Sequence, residues 1–430
     1  MSSSTDPNYA TPATDVAGKP APHPKRAAHL AIFLTVLIDL IGFGILIPIL
    51  QPLAKDQFGA PDLVAQWLMG IYSLMQFVFS PILGRVSDRV GRRPVIIASL
   101  IGSMLGYLII ALAASEKLGL SGAWSIGLLF LARIVTGVCG ASIATAQAYL
   151  ADITAPEKRA GVMGMIGAAF GIGFVLGPVI GGLTSHTAAG PALPFFIAAA
   201  MSLGNAYYCW KKLPESLPPE KRGEPRPHST IRATMRKMGH TAFPVVLTGN
   251  FLLITAFSMM TATFVLFTGE SFGFRQRENG LAFGFIGIIA VFIQGGLIRR
   301  IAKNGNERNL ALAGCVCMVV ALATLPWTSP WVTLMLNMAL MSVGNSLATP
   351  TVNTLASQCG TVQNQGETMG AMSGAGSLGR FLGPFIAGTL LWLFPGKYDY
   401  AFWVSAAVMA VATVTLAKIR PVVPGKITVE

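Results

Sequence analysis

Long apolar stretches separated by short polar segments run along most of the chain. Twelve of these stretches are each long enough, at roughly 20 residues, to cross a lipid bilayer as a helix. The pattern therefore predicts an all-α membrane protein with twelve transmembrane helices. The predicted spans lie near residues 30–50, 64–84, 94–114, 124–150, 161–183, 193–211, 242–268, 280–298, 309–327, 330–355, 369–394 and 400–418.

The composition agrees with a chain that lies mostly in lipid. Apolar residues make up 53% of it and charged residues 11%, whereas about 25% of the residues in a soluble domain are charged. Residues 1–29 are rich in Pro, Ala, Ser and Thr and contain no apolar core. We therefore expect a disordered tail here, not a cleaved signal peptide.

Lys and Arg residues are unevenly divided between the two sets of loops. If the N-terminus is cytoplasmic, Arg133 and Arg380 lie inside helices, and all but five of the other Lys and Arg residues lie on the cytoplasmic side. Cytoplasmic loops retain such an excess, so both termini are expected in the cytoplasm, with the chain in a bacterial inner membrane. The same distribution explains the net charge of +13 without nucleic acid. The five exceptions are Lys55, Lys117, Arg275, Arg277 and Lys397.

The chain divides into two similar parts around a charged, Pro-rich segment, residues 212–241. "GFVLGPVIGG" (173–182) is echoed by "GRFLGPFIAG" (379–388), and "GRVSDRVGRR" (84–93) is echoed more weakly by "GGLIRRIAKNGNER" (295–308). Repeated halves are typical of transporters that bind their substrate between the halves near mid-membrane. We predict two pseudo-symmetric six-helix bundles at 30–211 and 242–418, a linker at 212–241, and tails at 1–29 and 419–430.

Patterns of catalytic or metal-binding residues are not evident. The cysteines form no CxxC pair and have no histidine at metal-ligand spacing. The chain also shows no nucleophile–base constellation and no phosphate-binding glycine loop. We therefore expect no enzymatic activity, no metal and no cofactor.

Four motifs fall in or beside the predicted helices of the first half. They are "DLIGFGILIPILQP" (39–52), "GRVSDRVGRRP" (84–94), "LARIVTGVCGASIA" (131–144) and "GIGFVLGPVIGG" (171–182). Together they resemble the major facilitator superfamily, in particular its twelve-helix drug:proton antiporter branch, over nearly all of residues 30–418. The resemblance implies a proton-coupled transporter that works by alternating access.

Within that branch the chain reads most like the tetracycline/proton antiporters, but it departs from them at three places. Those proteins carry acids in the third and ninth helices and a histidine in the eighth. Here Gly106 stands at the third-helix position, and residues 314–320 and 283–296 contain no acid and no histidine. The resemblance therefore implies the fold and the coupling, and does not identify the substrate.

Asp39 is the acid that the apolar pattern places inside a helix. Burial favours the protonated form of a carboxyl group, and a nearby cation favours the anionic form. Arg133, within the first turns of the fourth helix, is the candidate cation, and opposed effects of this kind would let a proton be loaded and released. We predict that Asp39 and Arg133 couple transport to protons. The alternative is a static ion pair that fixes two helices.

The loop after the second helix and the fifth-helix motif are the predicted gating elements. Arginines alone would fix the orientation of the loop, so Asp88 needs another explanation, and the resemblance implies contact with the other half when the cytoplasmic gate is closed. Spaced glycines and a proline in the fifth helix allow close packing and a bend, although packing alone would also explain them. The predicted gating residues are Gly84, Asp88, Gly91, Arg92, Arg93, Gly173, Gly177, Pro178 and Gly181.

Polar side chains inside apolar helices are the candidates for substrate contact, because they seldom face lipid. Arg380 has no obvious acidic partner in the second half and is predicted to face a substrate or the water of a cavity. Helix-to-helix hydrogen bonding is the alternative for the amides. The predicted substrate-binding residues are Tyr72, Gln76, Asn250, Gln294, Asn345, Asn353 and Arg380.

These observations predict a monomeric, proton-coupled exporter of a small amphipathic drug or metabolite, with the substrate, protons and the lipid bilayer as its partners. One alternative is a facilitator or proton symporter that takes up a small molecule. The other is a membrane receptor or scaffold that transports nothing.

Overall fold

The computed structural model describes residues 24–115, 122–154, 159–185, 190–223, 234–236, 242–301, 306–360 and 365–419. Most of the predicted tails and much of the predicted linker lie outside these residues. The long helices of the first half are α1 (Pro24–Leu46), α2 (Asp62–Val90), α3 (Arg92–Ala114), α4 (Gly122–Ile153), α5 (Arg159–Thr184) and α6 (Leu193–Lys212). Those of the second half are α7 (Phe243–Phe272), α8 (Gln276–Leu297), α9 (Glu307–Thr324), α10 (Val332–Cys359), α11 (Gln365–Leu393) and α12 (Tyr398–Ala417).

Several of these helices begin, end or break in ways that the hydropathy pattern does not show. Helix α1 starts at Pro24, so the last residues of the predicted disordered tail are helical. Helix α4 is interrupted at Ala141, between Gly122–Gly140 and Ser142–Ile153. Helix α8 ends in one π-helical turn, Ile293–Leu297. Short helical segments also occupy Leu50–Pro52, Leu53–Gln57, Pro219–Lys221, Ile298–Ile301 and Leu325–Trp327.

The prediction of an α-helical membrane protein is confirmed. Among the described residues, ten helices are long and apolar enough to cross a membrane. Helices α6 and α11, at two of the predicted spans, are formed over 20 and 29 residues but are not among the ten. Polar residues inside the helices lower their hydropathy, among them Asn205 in α6 and Arg380 in α11. The count of twelve spans therefore stays a prediction.

The two halves of the chain pack their helices in the same way. Helix α1 packs on α5 and α6, and its counterpart α7 packs on α11 and α12. The halves meet through two equivalent helix pairs, α2 with α11 and α5 with α8. The echoed glycines explain part of this likeness, because they let neighbouring backbones touch. A Cβ added to Gly177 would lie 2.6 Å from Gly44 Cα, and one added to Gly383 would lie 2.7 Å from the backbone N of Met259.

The interface between the halves is closed on one side of the bundle. We call the side with the start of α1, the α2–α3 turn and the end of α12 the terminal face, and the opposite side the distal face. Toward the distal face, Ile45, Ile47 and Ile49 are fully buried in one apolar cluster with Phe264 and Phe283 of the second half.

Polar contacts between the halves follow the same division. Gln66 Nε2 donates to the Ala262 carbonyl at 3.2 Å. Closer to the distal face, Lys55 Nζ lies 2.9 Å from Asp62 Oδ1 and donates to Tyr398 Oη at 3.3 Å. We call these last three residues the distal tie. Gln76 with Ser377 and Arg380, and Tyr398 with Asp62, also join the halves at mid-membrane or nearer the distal face. Hydrogen bonds therefore fasten the halves at mid-membrane and on the distal side.

Candidate functional site

Asp39 lies in α1 at the level where the halves meet, and its carboxylate is held by a tyrosine. It is 9% exposed, and its Oδ2 accepts a hydrogen bond from Tyr72 Oη at 2.8 Å. Gly140, at the break in α4, makes room for Tyr72, because an added Cβ would lie 2.4 Å from the tyrosine hydroxyl oxygen. The carboxylate therefore has one defined polar partner, supplied by α2.

Arg133 is the most deeply buried cation of the site, with 0% of its surface exposed. Its Nε donates to the Leu68 carbonyl at 3.0 Å, and its Nη2 donates to the Met69 carbonyl at 3.2 Å. Its guanidinium carbon also lies 4.7 Å from the centre of the Tyr72 ring and 5.6 Å from that of Phe43, in the range of a cation–π contact. Carbonyls and aromatic faces thus hold this cation, while its Nη1 is buried without a hydrogen-bond partner among the described residues.

The predicted pair of Asp39 and Arg133 is joined only indirectly in this conformation. No carboxylate oxygen of a described residue lies within 4.0 Å of Arg133. Tyr72 stands between them, with its hydroxyl on Asp39 and the face of its ring on Arg133. The sequence pointed to both charges but gave no means of choosing between a direct contact and one that passes through a third side chain.

Gln76, one turn beyond Tyr72 on α2, makes the mid-membrane contact between the halves. Its Oε1 accepts hydrogen bonds from Ser377 Oγ at 3.0 Å and from Arg380 Nη2 at 3.2 Å. Its Nε2 donates to the Gly140 carbonyl at 3.2 Å. This single amide therefore touches α4 in its own half and α11 in the other.

A cleft lies beside these groups. Three of the predicted substrate-binding residues, Tyr72, Gln76 and Arg380, line it together. The other lining residues are Leu40, Phe43, Phe170 and Phe174. Its walls are thus largely aromatic, with a few convergent polar groups, as in sites for small organic ligands. Its empty volume of about 220 Å³ is below the roughly 300–1,000 Å³ of such sites, so the halves would have to separate further to admit a ligand.

On the terminal face, Asp88 and Arg92 form an ion pair inside the first half. Arg92 also donates to Asp152 Oδ2 at 3.3 Å and to Ser87 Oγ. These groups hold the end of α2, the start of α3 and the end of α4 together. Asp88 therefore has a partner on its own side of the interface, and its contact with the other half stays a prediction.

Glu215 is a residue of this network that the sequence reasoning missed. Its carboxylate accepts hydrogen bonds from the backbone N–H groups of Arg92, at 2.8 Å, and Arg93, at 3.2 Å. Free N–H groups at a helix start attract anions. Gly91 is required beside it, since its φ is 110° and an added Cβ would lie 2.4 Å from Glu215 Oε2.

Glu215 lies near the start of the predicted linker, 212–241, which stays a prediction. The described residues after α6 pack against the first half: Leu213 and Leu217 are buried, and the Gly223 N–H donates to the Asp88 carbonyl at 3.1 Å. The only signal in the sequence was an isolated acid just after a helix that ends in two lysines.

Comparison with known proteins agrees with this architecture. Residues 32–359 and 297–429 match the family model of the Major Facilitator Superfamily. The chain belongs to the major facilitator superfamily. The resemblance found in the motifs is thereby confirmed, and the chain is a multi-pass membrane protein of a transporter family.

Named members of the superfamily are similar to this chain over most of its length. The class C tetracycline resistance protein of Escherichia coli is 29% identical over 386 residues, which cover 89% of this chain and 94% of that protein. Major facilitator superfamily domain-containing protein 10 of Mus musculus is 27% identical, over 87% of this chain and 89% of that protein. The crystal structure of the human organic anion transporter MFSD10 (TETRAN) superposes with a TM-score of 0.69 at 24% identity, covering 92% of this chain and 100% of that one.

The fifth-helix glycines of this superfamily member lie against α1 of the same half. Added Cβ atoms would lie 2.5 Å from Leu40 Cβ at Gly173, and 2.5 Å from the Ile45 carbonyl oxygen at Gly181. The next residue, Gly182, meets Gly280 of α8 in the other half. The motif therefore packs α1 on one side and borders the interface on the other, and its gating role stays a prediction.

The remaining predicted polar residues do not line the cleft in this conformation. Asn250 donates to the Met372 carbonyl, which ties α7 to α11. Gln294 donates to Ser346 Oγ, and Asn345 accepts from Thr349 Oγ1. These three hydrogen bonds lie within the second half, and substrate contact by the four amides stays a prediction: Asn250, Gln294, Asn345 and Asn353.

Proposed function

We propose that this protein is a proton-coupled secondary transporter that exports small amphipathic molecules from the cytoplasm. One observation carries the proposal: Asp39 is held by Tyr72, and Tyr72 lines the cleft between the halves. A proton on Asp39 removes the negative charge to which the Tyr72 hydroxyl donates its hydrogen bond. Proton and ligand therefore act on the same side chain, which is what coupling requires.

The proposed transporter has two more membrane-spanning helices than the ten that are long and apolar enough among the described residues. We take α6 and α11 as spans too, which gives twelve in two six-helix bundles, 30–211 and 242–418. The excess of Lys and Arg on the loops of the terminal face supports an orientation in which that face lies in the cytoplasm and the chain in a bacterial inner membrane. A carrier fastened at the distal face is then in the state that takes up a molecule for export.

Alternating access would follow from the symmetry of the interface. The equivalent pairs α2–α11 and α5–α8 carry the contact between the halves, so the bundles would rock about them. The distal tie would separate as the terminal face closes. Asp88 and its neighbours would then meet the second half. The similarity to tetracycline resistance proteins supports efflux.

Transport by purified protein in vesicles that contain a pH-sensitive dye tests this function. Export with antiport predicts proton movement opposite to substrate movement. Asp39→Asn should abolish uphill transport but leave substrate binding and exchange measurable. Glu270→Gln, which alters an exposed acid at the end of α7, is the control and should transport normally. Uphill transport by Asp39→Asn at the rate of the unaltered protein would overturn the proposal.

Proton symport is the second candidate, and Arg380 is the observation that favours it. An acidic substrate on Arg380 would be repelled by an ionised Asp39, and a proton on Asp39 removes this repulsion. Proton and acid would then bind together and move in the same direction. The similarity to the human organic anion transporter MFSD10 agrees with an acidic substrate. The sign of proton movement in the vesicles separates the two candidates.

A further inference from the structure

Arg380 is the cation that faces the cleft, and Asp39 acts on its charge without forming an ion pair with it. It is half-buried in α11, and its Nη2 donates to Gln76 Oε1 and Ser377 Oγ, both neutral. No carboxylate oxygen of a described residue lies within 4.0 Å of it. A charge at membrane depth is costly unless a partner or a polar cavity stabilises it. Arg133 differs, since it is fully buried and bound to carbonyls.

The guanidinium of Arg380 retains the donors that an acid needs. Its Nε and Nη1 make no hydrogen bond to a described residue, while Nη2 is held in place. Nε and Nη1 lie on different edges of the guanidinium, so each can give a carboxylate or sulfonate one charge-assisted hydrogen bond. The fixed Nη2 orients the group, so less conformational entropy is lost when an anion binds.

The rest of the cleft suits an apolar body attached to that acid. The Phe43 ring lies 5.0 Å from the Tyr72 ring and 5.8 Å from the Phe174 ring, measured between centres. These rings and Phe170 line the same cleft as Arg380. A flat hydrophobic ligand with one acidic group would place its body on the aromatic wall and its charge on the cation.

Gln76 is a neutral side chain that binds Arg380, so it leaves the positive charge of Arg380 free to attract a ligand. A glutamate of the same shape could receive the same hydrogen bonds from Arg380 and Ser377, but it would neutralise the guanidinium. The neutral amide holds the arginine in place and leaves the positive charge for a ligand. Gln76 is thus a positioning residue that also sets the charge preference of the cleft.

We propose that the cleft binds amphipathic organic anions, with the carboxylate or sulfonate on Arg380 and with Gln76 preserving the charge that attracts it. This rests on the proposed function only in that the cleft is the transport site. It holds for either direction of proton movement.

Binding of three probes of one shape tests the proposal: 2-naphthoate, the neutral 2-naphthamide and the cationic 2-naphthylmethylammonium. Calorimetry on the purified full-length protein should show naphthoate binding at least about tenfold more tightly than the amide, a difference of about 1.4 kcal/mol. Arg380→Gln and Gln76→Glu should each abolish this preference. Arg380→Lys, which keeps a cation, should retain part of it. Gln358→Glu adds an acid at an exposed position on α10 and should leave the preference unchanged.

Two results would overturn the proposal: naphthoate binding no more tightly than the amide, including no binding at all, or a preference that survives in Arg380→Gln. Thermal unfolding shows whether each variant has folded. If Arg380→Gln has not folded, Arg380→Lys decides the outcome, because a preference for naphthoate as strong as that of the unaltered protein would overturn the proposal. Binding needs no proton gradient, so a preference for naphthoate without proton movement in vesicles would contradict the proposed function and leave this inference standing.

Discussion

Gly177 is a position where the backbones of α1 and α5 touch, and Gly177→Ala should separate them. An added Cβ would lie 2.6 Å from Gly44 Cα and 2.7 Å from the Ile41 carbonyl oxygen. Ordinary contacts begin at 3.4 Å, so the helices would have to move apart by the difference, about 0.8 Å. Backbone atoms cannot rotate out of the way as a flexible side chain can. Overpacking of this kind costs about 1–3 kcal/mol.

Gly167→Ala, on the same helix, is the matched control. An added Cβ there would have no atom within 4 Å, so only the higher helix propensity of alanine remains, which favours the folded state by up to about 1 kcal/mol. Denaturant titration of purified protein in detergent measures both variants. We expect Gly177→Ala to lower the free energy of unfolding and Gly167→Ala to leave it unchanged or raise it.

Transport measurements on the same two variants separate packing from gating at Gly177. If packing is the role of the glycine, loss of transport should accompany loss of stability. Equal stability of the two variants would refute the packing argument. A Gly177→Ala protein that is stable but transports slowly would instead support a gating role for the motif.

Three further predictions concern other contacts. Glu215→Gln removes the negative charge at the start of α3 and should lower the free energy of unfolding by about 0.3–1 kcal/mol. An unchanged free energy of unfolding at low salt would contradict this. Tyr398→Phe breaks the distal tie and should increase labelling of a cysteine introduced into the cleft by a reagent added at the distal face, whereas unchanged labelling would show that the tie does not hold the halves. Burial alone would lower the pKa of Lys55, but its hydrogen bond to Asp62 and its contacts with Tyr398 outweigh this and raise the pKa. Lys55 therefore stays protonated, and the labelling should not change between about pH 7 and 9, below the ordinary pKa of a lysine; a rise in labelling toward pH 9 would contradict this.

The elements of the fold could be predicted from the sequence because each depends on a local pattern. The apolar stretches gave the helices, and the echo of Gly177 by Gly383 gave the equivalent packing of α5 on α1 and of α11 on α7. The site was only partly predictable. Tyr72, Gln76 and Arg380 were found because polar groups are rare inside such helices, and three of the seven candidates meet at one cleft.

What the sequence could not supply was the choice among long-range partners. A buried arginine is satisfied equally by a carboxylate, by carbonyls or by an aromatic face, and only the fold shows that Arg133 uses the carbonyls of Leu68 and Met69. Glu215 was missed for a similar reason. Its partners are backbone N–H groups, which every sequence has and no motif marks.

The two halves have equivalent helix packing but carry different charged residues inside their helices. The halves share their packing, yet Asp39 and Arg133 belong to the first and Arg380 to the second. The proposed proton site and the proposed anion site therefore lie in different halves. In this conformation the described contacts between them run along α2, from Tyr72 on Asp39 to Gln76 on Arg380, one helical turn apart. Because α2 also packs on α11, protonation of Asp39 would alter the very helix that holds the halves together, so the same contacts can serve both coupling and alternating access.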